Sequence, residues 1–296
     1  MLAGSKIKIL IPIGILLLIL FITGAIGRAY LRRTPVLIVT DSSFSLLYGN
    51  QRLKKRLEKM SRELFRPVIP VLVDESAGPD LIALAVEGTR EMPWAVVFPF
   101  RYFEGARLYK EANGEVPVLV IGVNSERKSE SLSLIRTDTA LDIYRAGACA
   151  ALLCGEKKPL FFSDGTLQDE YRELFREGFE AQGGVEEPVF VNAASSYSSY
   201  EEIGCVIVAG PASRFFEQNL DIPTLLFSWA DPEFTPKTVK LIFDDSHWAL
   251  AVEALKSLPG EGEEILIPSS MNIFKDRFEE KGDFQKLRSA LKMKFK

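Results

Sequence analysis

The 296-residue sequence is 47% hydrophobic and 26% charged, enough for a sizeable core spread over two modest domains or one large one. Formal net charge is −4, but the first 33 residues hold five cations and no acid, so the remainder carries 31 cations against 40 acids. A net balance this acidic argues against nucleic-acid binding, which normally needs a basic face. Three cysteines without a CxxC exclude a disulfide framework and read as buried apolar thiols.

The N-terminus carries a targeting signal. From Ile9 to Gly27 runs ILIPIGILLLILFITGAIG, 19 residues without a charge. At about 1.5 Å per residue such a helix nearly spans a hydrocarbon core of about 30 Å. Lys6 and Lys8 precede it, and Arg28, Arg32 and Arg33 follow. Residues 1–33 read as a signal anchor or as a signal peptide cleaved after Gly27. No cysteine lies nearby, which excludes a lipid-anchored lipoprotein at this position.

Beyond Arg33, short β-rich runs recur at Val36–Val39, Val68–Val73, Leu81–Val86, Ala95–Phe98, Val116–Ile121 and Leu132–Ile135. Six more follow at Pro159–Phe162, Pro188–Val191, Cys205–Val208, Pro223–Phe227, Val239–Phe243 and Glu264–Ile267. Several are apolar on consecutive residues, as in strands of a parallel sheet covered on both faces. Helical patterns fall between them. Gln51–Phe65 is basic and amphipathic, and Thr139–Leu153 is rich in small residues suited to close packing. In Leu167–Gln182 apolar residues recur at three- and four-residue steps until Gly183 and Gly184 stop the helix. Asp245–Leu258 and Asn272–Lys292 complete the helices, the last carrying a basic tail that lies over a lobe or meets anionic headgroups. Alternating strands and helices imply an α/β fold with right-handed crossovers. Twelve strands exceed one comfortable sheet, so two sheets are expected.

No GxSxG, P-loop or GxGxxG occurs. The single histidine, His247, follows Asp244-Asp245-Ser246, and the stretch reads as a helix start capped by Asp245 or Ser246. One histidine among scattered acids gives no metal site, and no nucleophile has a base beside it. No cofactor, metal or enzymatic activity is expected. What stands out is polar and aromatic residues just after strands: Asp41, Ser42, Ser43 and Phe44; Phe98, Pro99, Phe100, Arg101 and Tyr102; Ser163 and Asp164; Trp229 and Asp231. Of these, Asp41, Ser43, Phe44, Phe98, Arg101, Asp164, Trp229 and Asp231 are the candidate ligand contacts. Each Ser or Asp could be a helix cap. Gathered at one sheet edge, the carboxylates could instead accept hydrogen bonds from sugar hydroxyls or amines. Phe44 or Trp229 could stack on a ring, and Arg101 could meet an anion or a carbonyl.

The stretch LSLIRTDTALDIYRAGACAALLCGEKKPLFFSDGTLQDEYRELFREGFEAQGG resembles the start of the second lobe of type I periplasmic binding proteins. Phe175-Arg176-Glu177-Gly178-Phe179 fits that family's F-x-x-G-F element. VLIVTDSSF is similar to the first strand of the basic membrane protein subgroup, which includes nucleoside-binding lipoproteins, although Ser45 stands where that subgroup has Asn. FSWADPEF before VKLIFDDSHWALAVEAL resembles the late strand, acid and hinge strand. The resemblance covers residues 36–270 and implies a two-lobed α/β fold with parallel sheets; the uncharged Ile9–Gly27 run places one transmembrane segment before it. The resemblance divides the chain into lobes at 34–136 and 137–240, with a hinge return and C-terminal helices at 241–296. It implies an extracytoplasmic solute-binding protein, tethered to the cell membrane by a single N-terminal pass. Its two lobes would close on a small polar ligand, a nucleoside or a sugar-like molecule, for transport or sensing with a membrane permease or sensor partner. The alternative is a degenerate binding-protein fold acting as an envelope sensor or protein-interaction module without enzymatic activity.

Overall fold

Val36–Asp41 (β1) is six residues long and buried at every position, as a strand covered on both faces must be. It is described here from a computed structural model covering residues 27–30, 32–42, 50–89, 92–122, 128–163, 167–192, 199–209, 221–227, 236–244, 246–278 and 280–293. After β1 come α1 (Asn50–Leu64), β2 (Val68–Val73), α2 (Pro79–Glu87), β3 (Ala95–Pro99), α3 (Phe103–Ala112), β4 (Val118–Ile121) and β5 (Ser133–Thr137). Then follow α4 (Thr139–Cys154), β6 (Lys158–Ser163), α5 (Asp169–Ala181), β7 (Val189–Asn192), β8 (Ile203–Ala209) and β9 (Thr224–Phe227). The order ends with β10 (Val239–Asp244), α6 (His247–Ser257), β11 (Glu264–Ile267), β12 (Ser270–Ile273) and α7 (Lys281–Ala290).

The described strands form two six-stranded sheets, in the orders β11-β5-β4-β3-β1-β2 and β12-β10-β9-β8-β6-β7. The two orders match position by position, so one α/β plan is used twice although the sequence shows no repeat. β1 runs parallel to both β2 and β3, and β6 runs parallel to both β7 and β8. The chain divides into two units. One holds the residues up to Leu134 with Ala254–Ile265, and the other holds Ile135–Glu253 with the residues from Leu266 onward. Segment 254–265 therefore belongs with the first unit, tied there by Leu134 N–H to Glu263 O (2.9 Å) and by the Ser133 hydroxyl to Gly260 O (2.9 Å).

Two expected elements come out differently. Leu81–Val86, expected as a strand, lies in helix α2. Gly78 precedes it, Pro79 occupies its first turn, and Ile82, Ala83 and Val86 face the core. Leu81 and Leu84 stay exposed, so the apolar run hides a helical period. The expected helix Asn272–Lys292 is in fact strand β12, a 3₁₀ turn at Lys275–Arg277 and the shorter helix α7. β12 pairs antiparallel with β10 and is half-buried throughout, which gives its sequence SMNI no continuous apolar signal.

Among the described residues no helix is long and apolar enough to cross a membrane. The Ile9–Gly27 segment lies, but for Gly27, outside them. In the second unit α4 and α5 touch backbone to backbone. A Cβ built on Gly147 would stand 2.1 Å from Phe175 O, and one on Gly178 would stand 1.9 Å from Tyr144 O. The Ala/Gly-rich helix and the F-x-x-G-F element are thus two halves of one contact. Cys149, Cys154 and Cys205 are buried and unbridged, as apolar thiols.

Candidate functional site

A parallel sheet exposes a crevice beyond its carboxyl edge where neighbouring strands send their connections in opposite directions. In the first sheet that point is between β1 and β3, whose register pairs Val36, Leu37 and Ile38 with Ala95, Val96 and Val97. Asp41 ends β1 there. Across from it, Pro99 turns the chain from β3 into a 3₁₀ turn, Phe100–Tyr102, which swings two side chains back over the edge.

Those two side chains close on one oxygen. The Tyr102 hydroxyl donates to Asp41 Oδ2 at 2.7 Å, and Arg101 Nη1 donates to the same atom at 3.0 Å. The Asp41 side chain is only 3% exposed, whereas that of Arg101 is 47% exposed. The guanidinium also lies 5.0 Å above the Tyr102 ring, a favourable cation–π distance. Burial, and then the hydrogen bond to Asp41, push the Tyr102 hydroxyl above its ordinary range, so it stays a donor. Asp41 is thus a buried acceptor that orients Arg101, and Arg101 is the group turned toward solvent. Nearby, the exposed Ser42 hydroxyl donates to Glu75 Oε1 at 3.1 Å. The Asp74 carboxylate accepts from the Ser76 backbone N–H and hydroxyl, which hold its pKa below the usual range.

The second sheet has the same point between β6 and β8. Register aligns Ser163 with both Asn192 and Ala209, Ala209 with Phe227, and Phe227 with Phe243. The carboxyl edge is therefore one row of strand ends; the stacked rings of Phe227 and Phe243, with centroids 4.4 Å apart, belong to the core behind it. Asp164 follows Ser163 directly in the chain, and Trp229 and Asp231 follow Phe227.

The candidates read from sequence separate as follows. Asp41 and Arg101 meet. Phe98 is fully buried and packs on Tyr109, with centroids 6.1 Å apart, so it is core and not edge, because side chains alternate along β3. Ser43, Phe44, Asp164, Trp229 and Asp231 lie outside the described residues. Tyr102 stands in the group read after this strand but not among the candidate ligand contacts; its signal is an aromatic with a hydroxyl just past a buried strand that ends in proline. His247 begins α6, with Ser246 Oγ accepting from Ala249 N–H at 3.4 Å, the capping role expected of that serine. Burial holds the imidazole pKa below its ordinary value. Among the described residues no group of three or more His, Cys, Asp or Glu is placed to hold a metal.

No family profile matches the sequence, and no curated protein matches it. Solved structures do. A transcriptional activator of the comK gene from Bacillus halodurans superposes with a TM-score of 0.56 at 14% identity, over 88% of this chain and 96% of that one. A solute-binding protein of an ABC transporter from Conexibacter woesei gives 0.56 at 11% identity, over 88% and 95%. A periplasmic solute-binding protein of an ABC transporter from Actinobacillus succinogenes, with bound D-allose, gives 0.51 at 10% identity, over 83% and 99%. At these identities the likeness is one of fold, the two-lobed α/β architecture of type I periplasmic binding proteins.

Proposed function

We propose that this chain is a solute-binding protein that takes a small polar ligand, sugar-like or a nucleoside, at the carboxyl edge of its first sheet and performs no chemistry on it. The observation that carries this reading is the Asp41–Tyr102–Arg101 group at the crevice point of the first sheet. A guanidinium half-open to solvent, held in place by a buried carboxylate, offers oriented N–H donors to the hydroxyl or carbonyl oxygens of a ligand. The solute-binding neighbours, one of them holding D-allose, support a polar ligand of that kind. The uncharged Ile9–Gly27 segment supports a membrane anchor, the periplasmic solute-binding neighbour supports a body outside the cytoplasm, and the partner would then be a permease or a membrane sensor.

The transcriptional activator among the neighbours has this fold outside transport and supports a second reading, a sensor or interaction module. In that reading the chain takes no small ligand. One experiment decides between them. The purified full-length chain is screened by thermal shift against D-allose, other pyranoses and nucleosides at millimolar concentration. A bound ligand at about 100 times its Kd adds about 2.7 kcal/mol, a rise of several degrees. No rise with any compound selects the second reading.

A further inference from the structure

The charge of this molecule is unevenly placed. Residues 27–34 and 50–66 together carry ten cations against two acids, Glu58 and Glu63, within a chain that is acidic as a whole. The fold brings these two stretches together. Residues 27–30 form a helical turn, and Tyr30 meets Phe65 edge-on with ring centroids 5.8 Å apart. Arg33 lies 4.7 Å above the same Phe65 ring, and Arg66 Nη1 donates to the carbonyl and to the hydroxyl oxygen of Thr34, both at 3.2 Å. The chain that emerges from the uncharged Ile9–Gly27 segment is therefore docked along the end of the basic helix α1.

Between the helical turn and α1 lies a shallow depression. Tyr30, Leu53, Leu57 and Val68 give it an apolar floor, and Lys54 and Arg62 give it a basic rim that also includes Glu58. Lys54 and Arg62 are exposed. Of the two acids, Glu63 is already met by Lys59 at 3.9 Å and by Lys256 at 3.4 Å. Burial, and after it the neighbouring charge of Arg33, lower the pKa of Arg66. Tyr30 is three residues beyond Gly27, about 5 Å along a helix. A half-apolar hollow rimmed by cations, one turn from an uncharged 19-residue segment, matches the chemistry of a lipid headgroup region. Phosphate meets the rim, and the glycerol and upper acyl carbons meet the floor.

We infer that the depression between the 27–30 turn and α1 docks anionic phospholipid headgroups, so that the first unit rests on the bilayer through α1 as well as being tethered to it. This rests on the reading of Ile9–Gly27 as a membrane anchor. Docking is sensitive to salt and to lipid charge, whereas insertion of an uncharged segment is sensitive to neither.

The full-length chain is reconstituted into nanodiscs of phosphatidylcholine alone and of phosphatidylcholine with phosphatidylglycerol. Hydrogen exchange is followed in peptides covering residues 53–62, and resistance to alkaline extraction from vesicles of the same lipids reports the anchor. The expected result is extraction-resistant protein in both lipids, with exchange of 53–62 slowed about tenfold only in the anionic bilayer. That protection is lost at high salt and in the Lys54→Glu/Arg62→Glu variant, and kept in a Lys286→Glu/Lys292→Glu control. Equal exchange in both bilayers, with the anchor holding, overturns the docking and leaves the anchor. Protein extracted from both lipids overturns the anchor and the docking with it. Inorganic phosphate added to neutral nanodiscs is expected to give no protection. Protection equal to that of the anionic bilayer would make this a soluble oxyanion site and overturn the lipid assignment.

Discussion

Ser269 gives its backbone N–H to both carboxylate oxygens of Asp142, at 3.1 and 3.0 Å, and its hydroxyl to Oδ2 at 2.6 Å. This straps the segment between β11 and β12 onto the first turn of α4, where Asp138 N–H also donates to Ile267 O at 2.9 Å. Asp142 is 1% exposed, and that burial outweighs its three hydrogen bonds and the nearby Arg145, raising its pKa from 3.8 to about 6. The protonated carboxyl is the form the fold favours. Its contribution to stability is fully present below pH 3.8, declines as pH rises, and is gone above about 6, a loss of about 3 kcal/mol. Urea midpoints measured from pH 4 to 7 should show this decline in the parent chain and not in Asp142→Asn. An unchanged slope in the variant would exclude Asp142 as its source. His247 acts with the opposite sign: its lowered pKa gives stability that is present above pH 6.5 and lost as pH falls, and it titrates alike in both proteins.

The contact of α4 with α5 has no room for a methyl group at Gly147 or Gly178, because the atoms opposite are backbone. Gly147→Ala should cost about 3 kcal/mol in urea unfolding, since two helices must separate to admit it. Gly183, which ends α5 with φ +85° and open space around it, should cost only about 1 kcal/mol as alanine, from backbone strain alone.

Tyr102 and Arg101 bond the same oxygen but should fail differently. Tyr102→Phe removes a buried donor and should lower stability by about 1–2 kcal/mol. Arg101→Ala removes a half-exposed cation and should change stability by about 1 kcal/mol or less. If the crevice point of the first sheet binds a ligand, Arg101→Ala weakens that ligand at least tenfold, roughly 1.4 kcal/mol, in calorimetric titration. Unchanged affinity would remove the residue from the site.

Lys110 is 4% exposed and donates to Gly114 O at 2.6 Å, to Val116 O at 3.1 Å and to the Glu261 carboxylate. It fastens segment 254–265 to α3. Lys110→Met should cost about 2 kcal/mol and should speed hydrogen exchange in 254–265 more than in β1 or β3. Uniform exchange across the first unit would place the effect elsewhere.

Much of the fold is legible in sequence because buried parallel strands are apolar without interruption. VLIV, AVVF and CVIV are such runs, and all three are strands. LIALAV is equally apolar and is a helix. What distinguishes it is the Gly-Pro-Asp that precedes it and the two leucines its surroundings leave in solvent. SMNI is a strand only because the edge of β10 is there to pair with it.

The candidate site was half legible. A carboxylate after a first strand and a cation after a later one can each be read along the chain. Their meeting cannot, because 60 residues separate Asp41 from Arg101 and only the parallel pairing of β1 with β3 brings them together. Tyr102 is legible in the group after β3 but not as a contact, because its role is set by Asp41, 61 residues away, and not by its neighbours in sequence.

By itself, then, the sequence determined the α/β class, the burial of the three cysteines, a cap at Asp245 or Ser246 for α6 and the uncharged N-terminal segment. Each follows from residues close together in the chain. Tertiary structure alone decided that both units share one strand order, that Gly147 and Gly178 face each other, and that Asp41 is a buried brace for Arg101. These depend on contacts between residues far apart in sequence, whose geometry exists only once the sheets have formed.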